Sequence, residues 1–272
     1  MTCCAPPHGR GAPVMPEGDT VYQTARRLDA LSGQVLTASD FRIPSLATSD
    51  LTGRTVLETV SRGKHLLMRL EGEMTLHSHL KMEGAWDVQA AGGRWHRPEH
   101  EVRAVLRTEK SEAIGYSVLL DLVPTPGESS VVGHLGPDLL GPDWDAAEAI
   151  SRLQRLPHLP IGEALLDQRN LAGIGNVYRA EACFVAGYDP HTAVSEVDNL
   201  PRLVAIAHRM LELHKDRHSR VTTGDTRPGR RLWVYNRRGP CLRCGTPIQS
   251  GELGPEGQQR AVWWCPSCQP SR

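Results

Sequence analysis

No stretch of the 272-residue sequence approaches the roughly 18 consecutive apolar residues that a transmembrane helix needs, so a spanning segment is excluded. The opening MTCCAPPHGRGAPV also lacks the apolar core of a secretory signal. The chain is therefore expected in the cytoplasm, without a membrane partner. Internal repeats and low-complexity tracts are absent as well. Net charge is absent too, with 31 Lys and Arg against 31 Asp and Glu. That balance hides an asymmetry. Residues 201–243 carry eleven Lys or Arg against Glu212, Asp216 and Asp225, so residues 16–200 carry about nine net negatives. A polyanion-binding surface would lie toward the C-terminal half, whereas a solvated basic helix and loop is the plainer alternative. Seven cysteines in a reducing compartment do not make a disulfide framework, but four of them crowd the C-terminus.

The length suits about two domains. Val21, Ala25 and Leu28 at helical spacing, followed by Gly33, predict a helix over 20–31. Short apolar or alternating runs follow: VLTASDFRI, TVLETV, HLLMRL, MTLHSHL, EVRAVLRT and SVLLDLV, punctuated by Gly, Pro and Asp. They predict a β-sandwich. From Asp145 the period changes, and DAAEAISRLQRL, IGEALLDQ, VYRAEACFVAG and LPRLVAIAHRMLELHK read as helices broken by NLAGIGN and YDPHT. The fold class expected is thus α+β and multidomain. The tail from about residue 231 is too short for its own core and needs a staple.

Cys241-x2-Cys244 and Cys265-x2-Cys268, twenty residues apart, have the spacing of a closed four-thiolate zinc site. Redox pairs or free thiols are the alternative. The site predicted is structural, with one Zn2+ stapling a hairpin in GELGPEGQQRAVWW that exposes Arg260 toward a polyanion. Cys183, among apolar helical neighbours, reads as core. In NLAGIGN, Gly173 and Gly175 bracket a bend before a helix starting near Asn176. Such a start suits a phosphate, to which Asn176 would add a donor, although glycines more often only shape a turn.

MPEGDT at 15–20, SRGKHL at 61–66, HSHLKMEGAW at 77–86, LGPDLL at 135–140, LLDQRNLAGIGNVYRAE and the four-cysteine tail together resemble the formamidopyrimidine-DNA glycosylase and endonuclease VIII family. PEG after the methionine is similar to the endonuclease VIII branch, and the overall pattern to its actinobacterial members. The resemblance implies an N-terminal helix plus β-sandwich, a helix-two-turn-helix domain and a zinc finger, with damaged DNA, double-stranded or bubble, as partner of a monomer. On that basis residues 1–15 are an extension absent from the active protein, 16–135 the catalytic domain, 136–144 a linker, 145–230 the helix-two-turn-helix domain and 231–269 the zinc finger.

The activity implied is base excision followed by strand cleavage. A metal-free route uses an amine that attacks C1′ of the sugar, expels the base and forms an iminium, which acidifies C2′ for β- and then δ-elimination. An α-amino group titrates near 8, against about 10.4 for lysine, so more of it is unprotonated at neutral pH. By resemblance Pro16 is the nucleophile and Glu17 the general acid/base. Pro16 is internal in the sequence, however, and a peptide nitrogen has no nucleophilic lone pair. The simplest resolution is translation from Met15 and its removal; proteolytic trimming and a non-catalytic DNA-binding protein are the alternatives. A zinc-ribbon module acting on protein partners is disfavoured by the motif pattern.

The resemblance further implies that Lys64 supports base excision, that Asn176 and Arg260 clamp phosphates, and that Met82 fills the gap left by an everted nucleotide. Without the resemblance, Lys64 would be a solvated strand-end lysine and Met82 a core residue. Lys81 and Glu83 replace void-filling side chains used elsewhere in the family. Thr20 stands where many members have glutamate, so that acidic contact is absent unless Asp19 substitutes for it. The loop DLVPTPGESS lacks the Arg-x-Phe pair of 8-oxoguanine enzymes, which favours oxidised pyrimidines, abasic sites or hydantoins.

Overall fold

The computed structural model describes residues 15–271, so the expectation for the first fourteen residues lies outside the described residues. Helix α1 (Gly18–Leu28) has Asp19 in its first turn and Arg26 and Arg27 in its last, each matched to the helix dipole. It buries Val21, Ala25 and Leu28 on one face.

Eight antiparallel strands follow: β1 (Ala38–Phe41), β2 (Val56–Arg62), β3 (His65–Leu70), β4 (Met74–His79), β5 (Ala85–Ala90), β6 (Val102–Arg107), β7 (Ser111–Tyr116) and β8 (Leu119–Pro124). They form two four-stranded sheets, ordered β1-β6-β7-β5 and β2-β3-β4-β8. Phe41, Trp86, Leu106 and Ala113 of the first sheet share one core with Leu66, Met68, Leu70 and Leu76 of the second. The buried face of α1 closes that core, completing a sandwich.

Two strands had no period-two signal strong enough to be expected. In β7 (SEAIGY) a charged residue, Glu112, is wholly buried, which breaks the apolar pattern. Its carboxylate accepts Trp95 Nε1–H at 2.8 Å and pairs with Arg107. Strand β5 (AWDVQA) pairs with β7 along its whole length.

After a short helix α2 (Ser129–Val132) the chain becomes helical: α3 (Ala146–Gln154), α4 (Ile161–Ala164), α5 (Asn176–Ala186) and α6 (Leu200–His214). Asp145 caps α3 through the N–H groups of Ala147 and Glu148, and Asn199 caps α6 through that of Arg202. Gly187 ends α5 with a left-handed φ of 85°. The IGEALLDQ helix is a single turn. It ends where Asn170 turns back to donate its side-chain amide to the carbonyl of Ala164. These helices, with Leu171 of the loop before α5, bury Leu153, Ile161, Tyr178, Leu203 and Leu211 around a second core.

The tail folds as a hairpin, β9 (Gln249–Leu253) against β10 (Arg260–Trp264). It is seated on α5 through Ala180, Phe184, Val234, Cys241 and Cys265. No helix among the described residues is long and apolar enough to cross a membrane.

Candidate active site and DNA interface

The two cores meet at the start of α1. Gly18 N–H donates to the Gly173 carbonyl at 2.8 Å, fixing α1 against the loop before α5. Glu17 is completely buried there. Its carboxylate accepts the N–H groups of Val177 at 2.7 Å, Gly175 at 2.9 Å and Tyr178 at 3.3 Å. A negative group thus occupies the positive end of α5. The backbone donors expected to meet a phosphate serve Glu17 instead. Gly175 is required for this approach, since a Cβ would lie 2.4 Å from the Glu17 carboxyl carbon.

Beside Glu17, the Met15–Pro16 peptide is half-buried. The Met15 carbonyl accepts Arg220 Nη1–H at 3.1 Å, and its sulfur lies 3.5 Å from the Tyr235 hydroxyl. Met15, Arg220 and Tyr235 line a cavity of about 280 Å³ together with Asp19, Thr20 and Arg231.

Asp19 and Arg220 form a pair that motif reading reached only as a single substitute carboxylate. Arg220 donates from Nε and Nη2 to the two oxygens of Asp19 at 2.7 and 2.6 Å, and from Nη2 to Thr20 Oγ1 at 2.9 Å. Tyr178 donates its hydroxyl to Asp19 at 2.7 Å, and the guanidinium carbon sits 5.2 Å from the centre of the Tyr178 ring. Burial alone would raise the Asp19 carboxyl. The hydrogen bonds and charge of Arg220, with the Tyr178 bond, hold it below the usual carboxylate range.

Lys64 follows Gly63, whose φ of 57° turns the chain between β2 and β3. Gly63 N–H donates to Asp138 at 2.7 Å, and a Cβ there would meet that of Ala172 at 2.9 Å. The turn is therefore held from the helical side. Burial pushes the Lys64 ammonium below its ordinary value, Glu17 pulls it back up, and Arg260 and Arg220 oppose that pull. Lys64 is thus within electrostatic reach of all three.

His65, next in the chain to Lys64, is the centre of a cluster of four histidines. His65 Nδ1 lies 2.8 Å from His77 Nε2, and the His79 and His134 rings meet the His65 ring edge-on. Burial brings His65 down to about 3 and His79 to about 4. The alternating His77 and His79 of β4 were visible in the sequence, but nothing in it joined them to His65 and His134.

Asn176 Nδ2 donates to the Ala261 carbonyl at 3.0 Å, and its Oδ1 accepts from Arg179, which also donates to Ala261 at 2.6 Å. The start of α5 is thereby tied to β10 beside Arg260. Arg260 itself is exposed. Burial lowers the Arg179 guanidinium to about 10. Met82, far from being core, is 48% exposed at the β4–β5 turn, which Lys81 makes with a φ of 51°.

The sulfur atoms of Cys241, Cys244, Cys265 and Cys268 lie within 4.8 Å of one another. The Cys241–Cys268 and Cys244–Cys265 pairs are 4.0 and 3.5 Å apart. A tetrahedral ion bound at about 2.3 Å needs sulfurs about 3.8 Å apart, so the four thiols fit a metal. Cys183 is buried away from them, and burial pushes its thiol up to about 12.

The family model described as the formamidopyrimidine-DNA glycosylase N-terminal domain matches residues 15–117, and that of the H2TH domain matches residues 135–215. Among curated relatives, "Probable endonuclease 8 2" of Streptomyces coelicolor is 54% identical over 261 residues, covering 94% of each chain. The "DNA-(apurinic or apyrimidinic site) lyase Nei2" of Mycolicibacterium smegmatis is 48% identical, covering 94% of this chain and 99% of that one. "Endonuclease 8" of Escherichia coli is 32% identical over 94% of this chain and 100% of its own. The fold is shared with Lactococcus lactis Fpg in complex with DNA carrying N7-benzyl-Fapy-dG, at a TM-score of 0.79, 23% identity and coverage of 94% and 100%. Continuous similarity of this length, on this fold, places the chain in the formamidopyrimidine-DNA glycosylase and endonuclease VIII family.

Proposed function

We propose that this chain is a base-excision repair glycosylase and abasic-site lyase that works through Pro16. One observation carries the reading: Glu17, next to Pro16, is buried against three backbone donors where both cores meet. Residues directly flanking the proline amine are thereby held rigidly, as proton transfer at a fixed position requires. Once Pro16 is freed, its nitrogen attacks C1′ and the base leaves. The iminium then drives β- and δ-elimination, with Glu17 moving protons at the ring oxygen and the amine.

Lys64 supports the departure of the base and, with Asn176 and Arg260, holds the backbone of the damaged strand. Met82 enters the stack where the nucleotide has left. One Zn2+ held by Cys241, Cys244, Cys265 and Cys268 is structural: it fixes the hairpin and supplies no chemistry to the reaction. The substrate is an oxidised pyrimidine or an abasic site in duplex or bubble DNA. That choice is supported by the missing Arg-x-Phe pair in the loop after β8. The protein acts as a monomer in the cytoplasm, where bacterial DNA lies.

Borohydride trapping on an abasic-site duplex tests this reading. Protein beginning at Pro16 forms a covalent complex, and the 272-residue chain does not. If neither traps while both bind damaged DNA, the protein is instead a non-catalytic damage binder of the same fold.

A further inference from the structure

The Met15–Pro16 peptide marks where the reaction's carbon sits. The acyl carbon of Met15 is bonded to Pro16 N at the ordinary amide distance of about 1.33 Å. In the covalent intermediate, C1′ of the sugar is bonded to the same nitrogen. The Met15 carbonyl oxygen therefore marks one position that an oxygen substituent of C1′ can take by rotation about the N–C1′ bond when the amine has added. A donor already points at that place: Arg220 Nη1 reaches the Met15 oxygen at 3.1 Å.

That donor is built, not incidental. Its guanidinium is clamped by both oxygens of Asp19, and the two side chains are only 8% and 4% exposed. Thr20 takes a further bond from Nη2, and the Tyr178 ring lies against the guanidinium. Nε and Nη2 are thus committed to Asp19 and Thr20, whereas Nη1 is turned to the oxygen beside the proline nitrogen.

We propose that Arg220 is a catalytic residue of the lyase reaction, donating Nη1–H to the aldehyde oxygen O1′ of an open-chain abasic sugar, with Asp19 as its positioning residue. The inference rests on Pro16 being the nucleophile. The Pro16 lone pair forms the N–C1′ bond, and the C1′=O1′ π pair moves onto O1′, where Arg220 stabilises the developing charge. Transfer of the ammonium proton to O1′ gives the neutral carbinolamine. A second proton lets O1′ leave as water with the C1′–O1′ pair, while the nitrogen lone pair closes the iminium. Donors placed at a developing oxyanion contribute on the order of 10² to 10³ in rate. Retained Met15 blocks the site twice, since it acylates the nucleophile and occupies the donor.

The test uses protein beginning at Pro16, which retains the sequence matched by both family models apart from Met15. Two variants are compared with it: Arg220→Lys, and Arg220→Gln combined with Asp19→Asn so that no buried carboxylate is left unpaired. Lysine keeps the charge but cannot serve Asp19 and O1′ together as a planar fork does. The expected result is a single-turnover trapping rate on abasic DNA lower by at least about tenfold for Arg220→Lys and about a hundredfold for the double variant. Affinity for a tetrahydrofuran analogue, which has no O1′, is expected to stay within about threefold. Trapping at the unsubstituted rate in either variant overturns the proposal. So does an equal loss of tetrahydrofuran-DNA affinity, which would mark a merely structural residue. Failure of the unsubstituted protein to trap removes the Pro16 reading itself, and this inference with it.

Discussion

Glu17 is the residue on which most of the local geometry converges. Its carboxylate accepts three backbone N–H groups, from Gly175 just before α5 and from Val177 and Tyr178 in its first turn, and meets no solvent. Glu17→Gln keeps the shape but replaces one acceptor oxygen by a donor amide that faces those N–H groups. Base release and strand cleavage should fall by roughly 10² or more, the usual contribution of a positioned acid/base. Melting temperature should also drop, because a charge is removed from a helix N-terminus. Parallel assays of product formation and thermal unfolding would separate the two effects, and wild-type rates in the variant would exclude Glu17 from catalysis. The position was legible because Pro16 and Glu17 are contiguous in one motif. Arg220 was not legible: it lies 201 residues from Asp19, in a loop with no periodicity, and only the fold brings the two carboxylate bonds into being.

At the scale of elements, the junction depends on a glycine and on a histidine cluster. Gly175→Ala forces a Cβ to within 2.4 Å of the Glu17 carboxyl carbon, although its own φ of −131° is ordinary. The side chain of Glu17 must move out of the α5 terminus, so the variant should lose catalysis while retaining most affinity for tetrahydrofuran DNA in a gel-shift titration. On the β3–β4 face, His65 and His79 have folded pKa values of about 3 and about 4, against 6.5 when exposed. Between those limits the unfolded chain binds more protons than the folded one, so stability is complete above pH 6.5 and is lost as pH falls toward 4. Melting curves from pH 7 to 4.5 should show that decline, with a shallower slope in His65→Asn; an unchanged slope would mean that burial does not hold His65 neutral. Strand periods made most of the sandwich legible. They failed at β7, where buried Glu112, paired with the exposed Arg107 of β6, replaces the apolar residue the pattern requires, and no period marks the GIGN turn, whose donors face a carboxylate of the same chain.

Considered as a whole molecule, the described residues form two large cores joined at α1 and a hairpin docked on α5. The hairpin has little core of its own, and Cys241 and Cys265 belong to the cluster that seats it. Removing metal with a strong chelator should release about one zinc per chain and weaken DNA binding before the two larger cores unfold. Circular dichroism retained alongside lost affinity would be the signature, and unchanged affinity in metal-free protein would contradict it. The same hairpin carries Arg260, held near Lys64 through the Asn176 and Arg179 bonds to Ala261.

Zero net charge gives no net long-range attraction to DNA, so binding must come from locally placed cations, namely Lys64, Arg260 and the basic 201–243 segment. Each phosphate neutralised on duplex DNA contributes about 0.9 to the slope of log affinity against log salt. If Arg260 engages one phosphate, Arg260→Ala should reduce that slope by about one and weaken binding almost equally across sequences. Fluorescence anisotropy over a salt series would measure both quantities. A slope unaltered by the substitution would mean that Arg260 points into solvent in the complex as well, leaving Lys64 and the 201–243 segment to hold the backbone.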